Sequence, residues 1–215
     1  MAKRRRVANL LALAVLSALA QRPAHPYELG RVLRDWGKDQ DMGIKWGSLY
    51  TVVRNLDKHG LIAAAHSSRE GARPERTVYE ITDEGRDELI DWARELLAEP
   101  ETEHPRFTAG LSVLAVLPPA EVIELLGRRL DALEADLAAR RAALAGYAAE
   151  IPRLFLVEGE YELAIREAET AWVRGLLDEL RSGSYPGLAE WAHWHATGDL
   201  PSEVTQLAER SYDTE

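Results

Sequence analysis

The chain has 215 residues, 29% charged and 46% apolar, enough material for a small domain of about 90 residues and a second one beside it. The absence of cysteine excludes disulfides, thiolate nucleophiles, Cys-based zinc sites and thiol redox sensing, and no apolar run approaches the roughly 20 residues that span a bilayer. The net charge of −10 hides a division: residues 1–80 carry 14 Lys and Arg against 8 Asp and Glu, net +6, while residues 81–215 carry 12 against 28, net −16. A basic first module joined to an acidic remainder suggests that one end meets a polyanion.

At the amino terminus Lys3, Arg4, Arg5 and Arg6 precede an apolar stretch that ends in Ala18-Leu19-Ala20. That pattern imitates a secretory signal with a cleavage site. The competing reading is a first buried helix over Leu10 to Leu19, with Leu10, Leu13 and Leu16 and their neighbours Leu11 and Val15 on a wide apolar face. Cleavage after Ala20 would remove the core partner that the next segments need. In the second reading the basic tetrad is either an arm on DNA phosphates or in the minor groove, or a solvated terminus.

Pro26 suits the first position of a second helix, running to about Trp36. Leu29, Val32 and Leu33 recur at helical spacing on one side of it. After a polar break at Gly37 to Gly43, a third helix is expected from Trp46 to Gly60, which is its natural stop. Leu49, Val52, Val53 and Leu56 form the buried stripe of this helix. Ser48, Thr51, Arg54, Asn55 and Lys58 are left on its outer faces, with Lys45 just before it. Such side chains reach base edges and phosphates when a helix lies in the major groove; alone, the pattern also describes an ordinary amphipathic helix with a solvated face.

The flanking segments favour the first alternative. Leu61 to His66 and the alternating Thr77 to Ile81 read as strands, joined by a turn-rich loop that carries Arg69, Arg73 and Arg76. Two strands and a basic loop directly after a candidate recognition helix make a winged helix-turn-helix. Thr82, Asp83 and Glu84 then cap a fourth helix to about Ala98.

These residues resemble the PadR family of bacterial transcriptional regulators. Tyr27-Glu28-Leu29 matches the family's second helix, although Pro26 replaces the glycine usual before the Tyr. Gly47-Ser48-Leu49-Tyr50 matches the opening of the recognition helix and adds Tyr50 to the candidate DNA contacts. Leu56 to Ile62 matches the run into the wing. Pro74, Arg76, Tyr79, Ile81, Thr82 and Gly85 match the wing ending and the capped helix. The motifs cover about residues 8–90; past residue 100 the likeness is architectural, to long-tailed members whose carboxy-terminal helices dimerise. The resemblance implies a homodimer, usually a repressor, on an inverted-repeat operator, released in some members by a small, often aromatic, ligand.

From Ala120 to about Glu150 the pattern is long and helical, with Val122, Leu126, Leu130, Leu133, Leu137 and Leu144 at steps of three, four or seven. So narrow a seam suits pairing with a helix of a second chain, or packing on a neighbour within one chain. A further helix from about Glu160 to Arg181 carries Leu163, Ala164, Ala168, Ala171, Trp172, Leu176 and Leu180, and the two helices together are the expected dimer interface. Trp92, Phe107, Tyr161, Trp172, Trp191 and Trp194 could line an aromatic effector cavity between the modules, or simply fill cores. His193 and His195, two apart, would point about 200° apart on a helix, which disfavours a metal site.

The expected fold is therefore mainly α with a small two-stranded β wing. A winged helix-turn-helix DNA-binding domain spans 1–98, a connecting segment 99–119, a helical dimerisation domain 120–197 and an acidic tail 198–215. No partnered nucleophile, phosphate-cradling glycine loop or metal-spaced cluster is visible, so no catalytic residue, metal or cofactor is expected. The expected partners are an operator in double-stranded DNA, a second copy of the chain and a small aromatic effector, with no membrane, in the cytoplasm. The alternative is a coiled-coil scaffold that leaves specific DNA alone.

Overall fold

The computed structural model describes residues 5, 7–38, 42–68, 76–100 and 105–200. The chain divides into two compact units, Met1–Thr102 and Glu103–Glu215, each with its own apolar core. Among the described residues no helix is long and apolar enough to cross a membrane.

In the first unit α1 (Leu10–Gln21) is the hub. Asn9 caps it by accepting the Leu11 N–H at 2.8 Å, which satisfies one of the free donors of the first turn. Leu11 to Leu16, Ala18 and Leu19 are all buried, whereas Leu10, expected on the apolar face, is 40% exposed. A helix buried on most of its sides must be surrounded. α1 packs against α2 (Pro26–Asp35), α3 (Leu49–Lys58), the second wing strand and α4 (Asp83–Ala98).

Pro26 in place of glycine disturbs nothing, because it sits in the first turn of α2 behind a complete capping box. His25 Nδ1 accepts the Tyr27 N–H at 3.1 Å, and the Glu28 carboxylate accepts the His25 N–H at 3.0 Å. The extended backbone of His25 (φ −79°, ψ 149°) is what a residue before proline prefers.

The wing is an antiparallel pair, β1 (Ile62–Ser68) and β2 (Arg76–Ile81), with Ile62 opposite Ile81 and an irregularity between Ala64 and His66. Ala24 extends it by a short bridge, exchanging two 3.0 Å backbone hydrogen bonds with Tyr79.

The second unit holds α5 (Arg106–Ser112), α6 (Pro119–Ala148), α7 (Val157–Ser182) and α8 (Leu188–Thr197). α6 and α7 form a long hairpin. Val122, Leu126 and Leu133 of α6 share one core with Val173, Leu177 and Leu180 of α7, and Leu130 packs at its edge. This corrects the expected dimer seam: of its six residues, Val122, Leu126, Leu133 and Leu137 are already buried within one chain. Arg140 to Glu162 (2.7 Å), Arg174 to Glu134 (2.7 Å) and Arg129 to Glu169 flank the hairpin contact.

The stretch 99–119 is more than a connector. Phe107, Leu114 and Leu117 pack on the second core, and Leu117 O accepts the Trp191 indole N–H at 3.0 Å. α8 is thereby fastened to the start of α6.

Candidate nucleic-acid interface

α3 is amphipathic in the manner its spacing demands. Leu49, Val52, Val53 and Leu56 are at most 5% exposed, and at about 100° per residue they form one side. Tyr50, Thr51, Arg54, Asn55 and Lys58 take the opposite side and all are exposed. The ten residues of α3 span about 15 Å, a length that suits a major groove about 12 Å wide. Lys45 is exposed immediately before a 3-10 turn, Trp46–Ser48, so the regular helix begins at Leu49 rather than at Trp46. Ser48 is half-buried, and its hydroxyl donates to Lys45 O at 2.8 Å.

The carboxy-terminal end of α3 is bolted to the base of the wing. Gly60 adopts φ +70°, a left-handed conformation that costs glycine little. Its carbonyl accepts the Thr82 hydroxyl at 2.7 Å, and Leu61 O accepts the Thr82 N–H at 3.2 Å. Thr82 Oγ1 also accepts the Gly85 N–H at 3.0 Å as the cap of α4. One threonine thus holds the end of the helix, the end of β2 and the start of α4 together. The backbone of Arg76 pairs with Ser68 at the outermost described rung of the wing, while Arg69 and Arg73 lie outside the described residues.

Of the basic tetrad, Lys3, Arg4 and Arg6 lie outside the described residues. Arg5 departs from expectation and is no DNA-facing arm residue here. Its guanidinium is 3% exposed and bonded to Glu88 at 2.6 Å and to Glu95, with the Trp92 ring 5.0 Å away. Burial disfavours the charged guanidinium, but the hydrogen bonds and charges of the two carboxylates outweigh it and hold the Arg5 pKa above its usual value. Sequence could not have shown this, because an arginine in a basic run looks the same whether solvated or paired. Arg5→Met should cost the first unit about 1 to 3 kcal/mol, since two half-buried carboxylates lose their counter-charge. Urea unfolding measures that loss; the salt dependence of DNA binding should stay as in the parent chain.

Of the six aromatic residues expected to line one cavity, Trp92 belongs to the first core, Phe107, Trp191 and Trp194 to the second, and Tyr161 and Trp172 are more than half exposed. Phe107 meets Trp172 edge-on at 6.1 Å and carries the Arg129 guanidinium 3.6 Å above its ring. Tyr161 is 66% exposed on α7. The two described depressions of the second unit are lined by none of the six. His195 Nε2 lies 2.9 Å from Ala115 O, and no His, Asp or Glu cluster among the described residues could hold a metal ion.

A helix with an exposed cationic and polar face, set on a helical core and followed at once by a two-stranded wing, defines a winged helix-turn-helix DNA-binding protein. Residues 15–91, within the first unit, match the transcriptional regulator PadR-like family. The fold as a whole is similar to that of Bacillus subtilis PadR in complex with operator DNA, at 20% identity and a TM-score of 0.67 over 80% of this chain and 99% of that one. Bacillus subtilis PadR in complex with p-coumaric acid gives 21% and 0.67 over the same shares. The Vibrio cholerae virulence activator AphA gives 20% and 0.59, over 80% of this chain and 98% of that one. No curated protein matches the chain by sequence.

Proposed function

We propose that the chain is a cytoplasmic homodimeric repressor that reads a palindromic operator with α3 in the major groove. The observation that carries this reading is the uninterrupted solvent face of α3, on which Tyr50, Thr51, Arg54, Asn55 and Lys58 are all exposed. Lys45 and Ser48 extend the contact surface before the helix. Arg69, Arg73 and Arg76 extend it through the wing, and Lys3, Arg4 and Arg6 extend it at the amino terminus. Release by a small aromatic ligand is supported by the neighbour solved with p-coumaric acid.

The dimer surface supported by this chain is the outer face of α7 rather than the seam of α6. Val157, Tyr161, Ile165 and Trp172, each more than half exposed, recur with the exposed Ala164 and Ala168 at steps of three, four and seven. They occupy the side of α7 opposite Val173, Leu177 and Leu180. A two-fold pair would place two recognition helices about 34 Å apart, one DNA turn.

The test is mobility shift on promoter fragments that contain inverted repeats. Arg54→Ala is expected to weaken operator binding by roughly 5-fold to 100-fold per half-site, the range of one base-reading arginine. Lys58→Ala removes one phosphate contact from each of two subunits, so it should weaken all duplexes alike and flatten the salt dependence by about two units. Both variants should sediment like the parent chain. A parent chain that binds operator and scrambled duplex equally at low salt would leave the scaffold alternative standing.

A further inference from the structure

We infer that Arg34 and Trp46 form a positioning pair which sets the approach of α3 to the bases, and so governs discrimination between DNA sequences more than affinity for DNA. The inference rests on the reading of α3 as the recognition helix. Its starting point is that the two ends of α3 are held differently. The far end is held by backbone and threonine hydrogen bonds at Gly60, Leu61 and Thr82. At the near end Ser48 makes no side-chain cap; its hydroxyl turns back to Lys45 O.

That end is held instead by packing. Gly30 of α2 leaves room for Leu49 so closely that a Cβ there would lie 3.1 Å from Leu49 Cδ2 and 3.7 Å from Arg34 Nη2. The Arg34 side chain, exposed to solvent, thus runs beside Gly30 on the side of α2 that meets Leu49. From there it covers the Trp46 ring, 4.9 Å from the centroid, while Trp46 itself packs at the edge of the first core. A cation over an indole face is attracted by the ring quadrupole, so this stack clamps the 3-10 turn to α2.

Tyr50 and Thr51 lie within a turn of that clamp, whereas Lys58 is at the bolted end. Loosening the clamp would tilt the near end of α3 and shift the groups aimed at base edges. Contacts to bases need fixed donor and acceptor positions, while contacts to phosphates tolerate small shifts because they act chiefly through charge.

The experiment uses the full chain to select duplexes from a randomised pool. It then measures affinity for the selected duplex and for a scrambled one over a range of salt. Trp46→Ala and Arg34→Met are each expected to lower the ratio of the two affinities about tenfold, with scrambled-duplex affinity and salt slope kept. Trp46→Phe, which keeps an aromatic face for Arg34, should retain most of the ratio. Circular dichroism checks folding; if Trp46→Ala unfolds, Arg34→Met and Trp46→Phe decide the matter. Equal weakening on both duplexes, or a salt slope flattened by Arg34→Met, would make Arg34 a phosphate contact and overturn the inference. So would a Trp46→Phe chain as impaired as Trp46→Ala. A parent chain with no preference for its selected duplex is a different failure, that of the recognition-helix reading itself.

Discussion

A chain carrying Gly85→Ala is expected to lose the cooperative folding of its first unit, and DNA binding with it, while the second unit stays folded. The reason is geometric. A Cβ on Gly85 would stand 2.0 Å from Leu61 O and 2.9 Å from both Leu61 C and Ile81 Cγ1. The carbonyl cannot step aside, because it accepts the Thr82 N–H one turn before Gly85 while the Gly60 carbonyl beside it accepts the Thr82 hydroxyl. Relief would have to come from moving α4 off α1 or from breaking the bolt between recognition helix and wing. Either should cost more than about 4 kcal/mol, the range of the severest single substitutions, against a total stability of roughly 5 to 15 kcal/mol for a domain. Gly146→Ala on the open face of α6, where a Cβ meets nothing within 4 Å, should instead stabilise slightly, by up to about 1 kcal/mol. Hydrogen exchange resolved along the chain checks both. Full protection of α1 and α4 in the Gly85→Ala chain would refute the steric account.

The first unit was legible because its signals are local and redundant. Pro26 opens a helix, Gly60 closes one, Thr82 caps one, and Thr77 to Ile81 alternate. Each signal acts through a backbone constraint that needs no distant partner. Gly85 was legible only as a letter in a family pattern; its contact with Leu61 O supplies the cause. What failed needed knowledge of partners. The spacing of Val122, Leu126, Leu133 and Leu137 correctly marks a buried face, but periodicity says nothing of whether the covering helix belongs to the same chain, and here it is α7. The apolar residues of α7 likewise lie on two faces, Leu180 buried and Trp172 half-exposed, which spacing alone does not separate. The bridge between Ala24 and Tyr79 is a single rung with no pattern to detect. The aromatic residues illustrate the same limit, for six rings scattered over a hundred residues carry no information about which of them meet.

The second large effect is expected from Ile165→Glu combined with Trp172→Glu, which should convert the chain to a monomer and weaken palindrome binding by about a hundredfold or more. Scattered exposed apolar residues are ordinary on a protein surface, but a line of them along one helix face marks a contact surface. Val157 to Trp172 covers about 22 Å of helix on the side away from the face filled by α6, and apart from the edge-on contact of Trp172 with Phe107 this apolar line is more than half exposed. Ile165 and Trp172 are 54% and 52% exposed. New carboxylates there meet water in the single chain, yet would be buried and unpaired in a dimer, where a desolvated charge costs several kcal/mol. The penalty therefore falls on association rather than on folding. Palindrome binding follows, because a tethered second half-site is engaged at a high effective concentration, and that advantage is lost once the subunits separate. Binding to a single half-site should be nearly unchanged. Leu177→Glu is the contrasting case: Leu177 is 1% exposed within the α6–α7 core, so it should unfold the hairpin rather than give a folded monomer. Sedimentation with circular dichroism separates the two outcomes. A doubly substituted chain that remains a dimer would remove α7 from the interface.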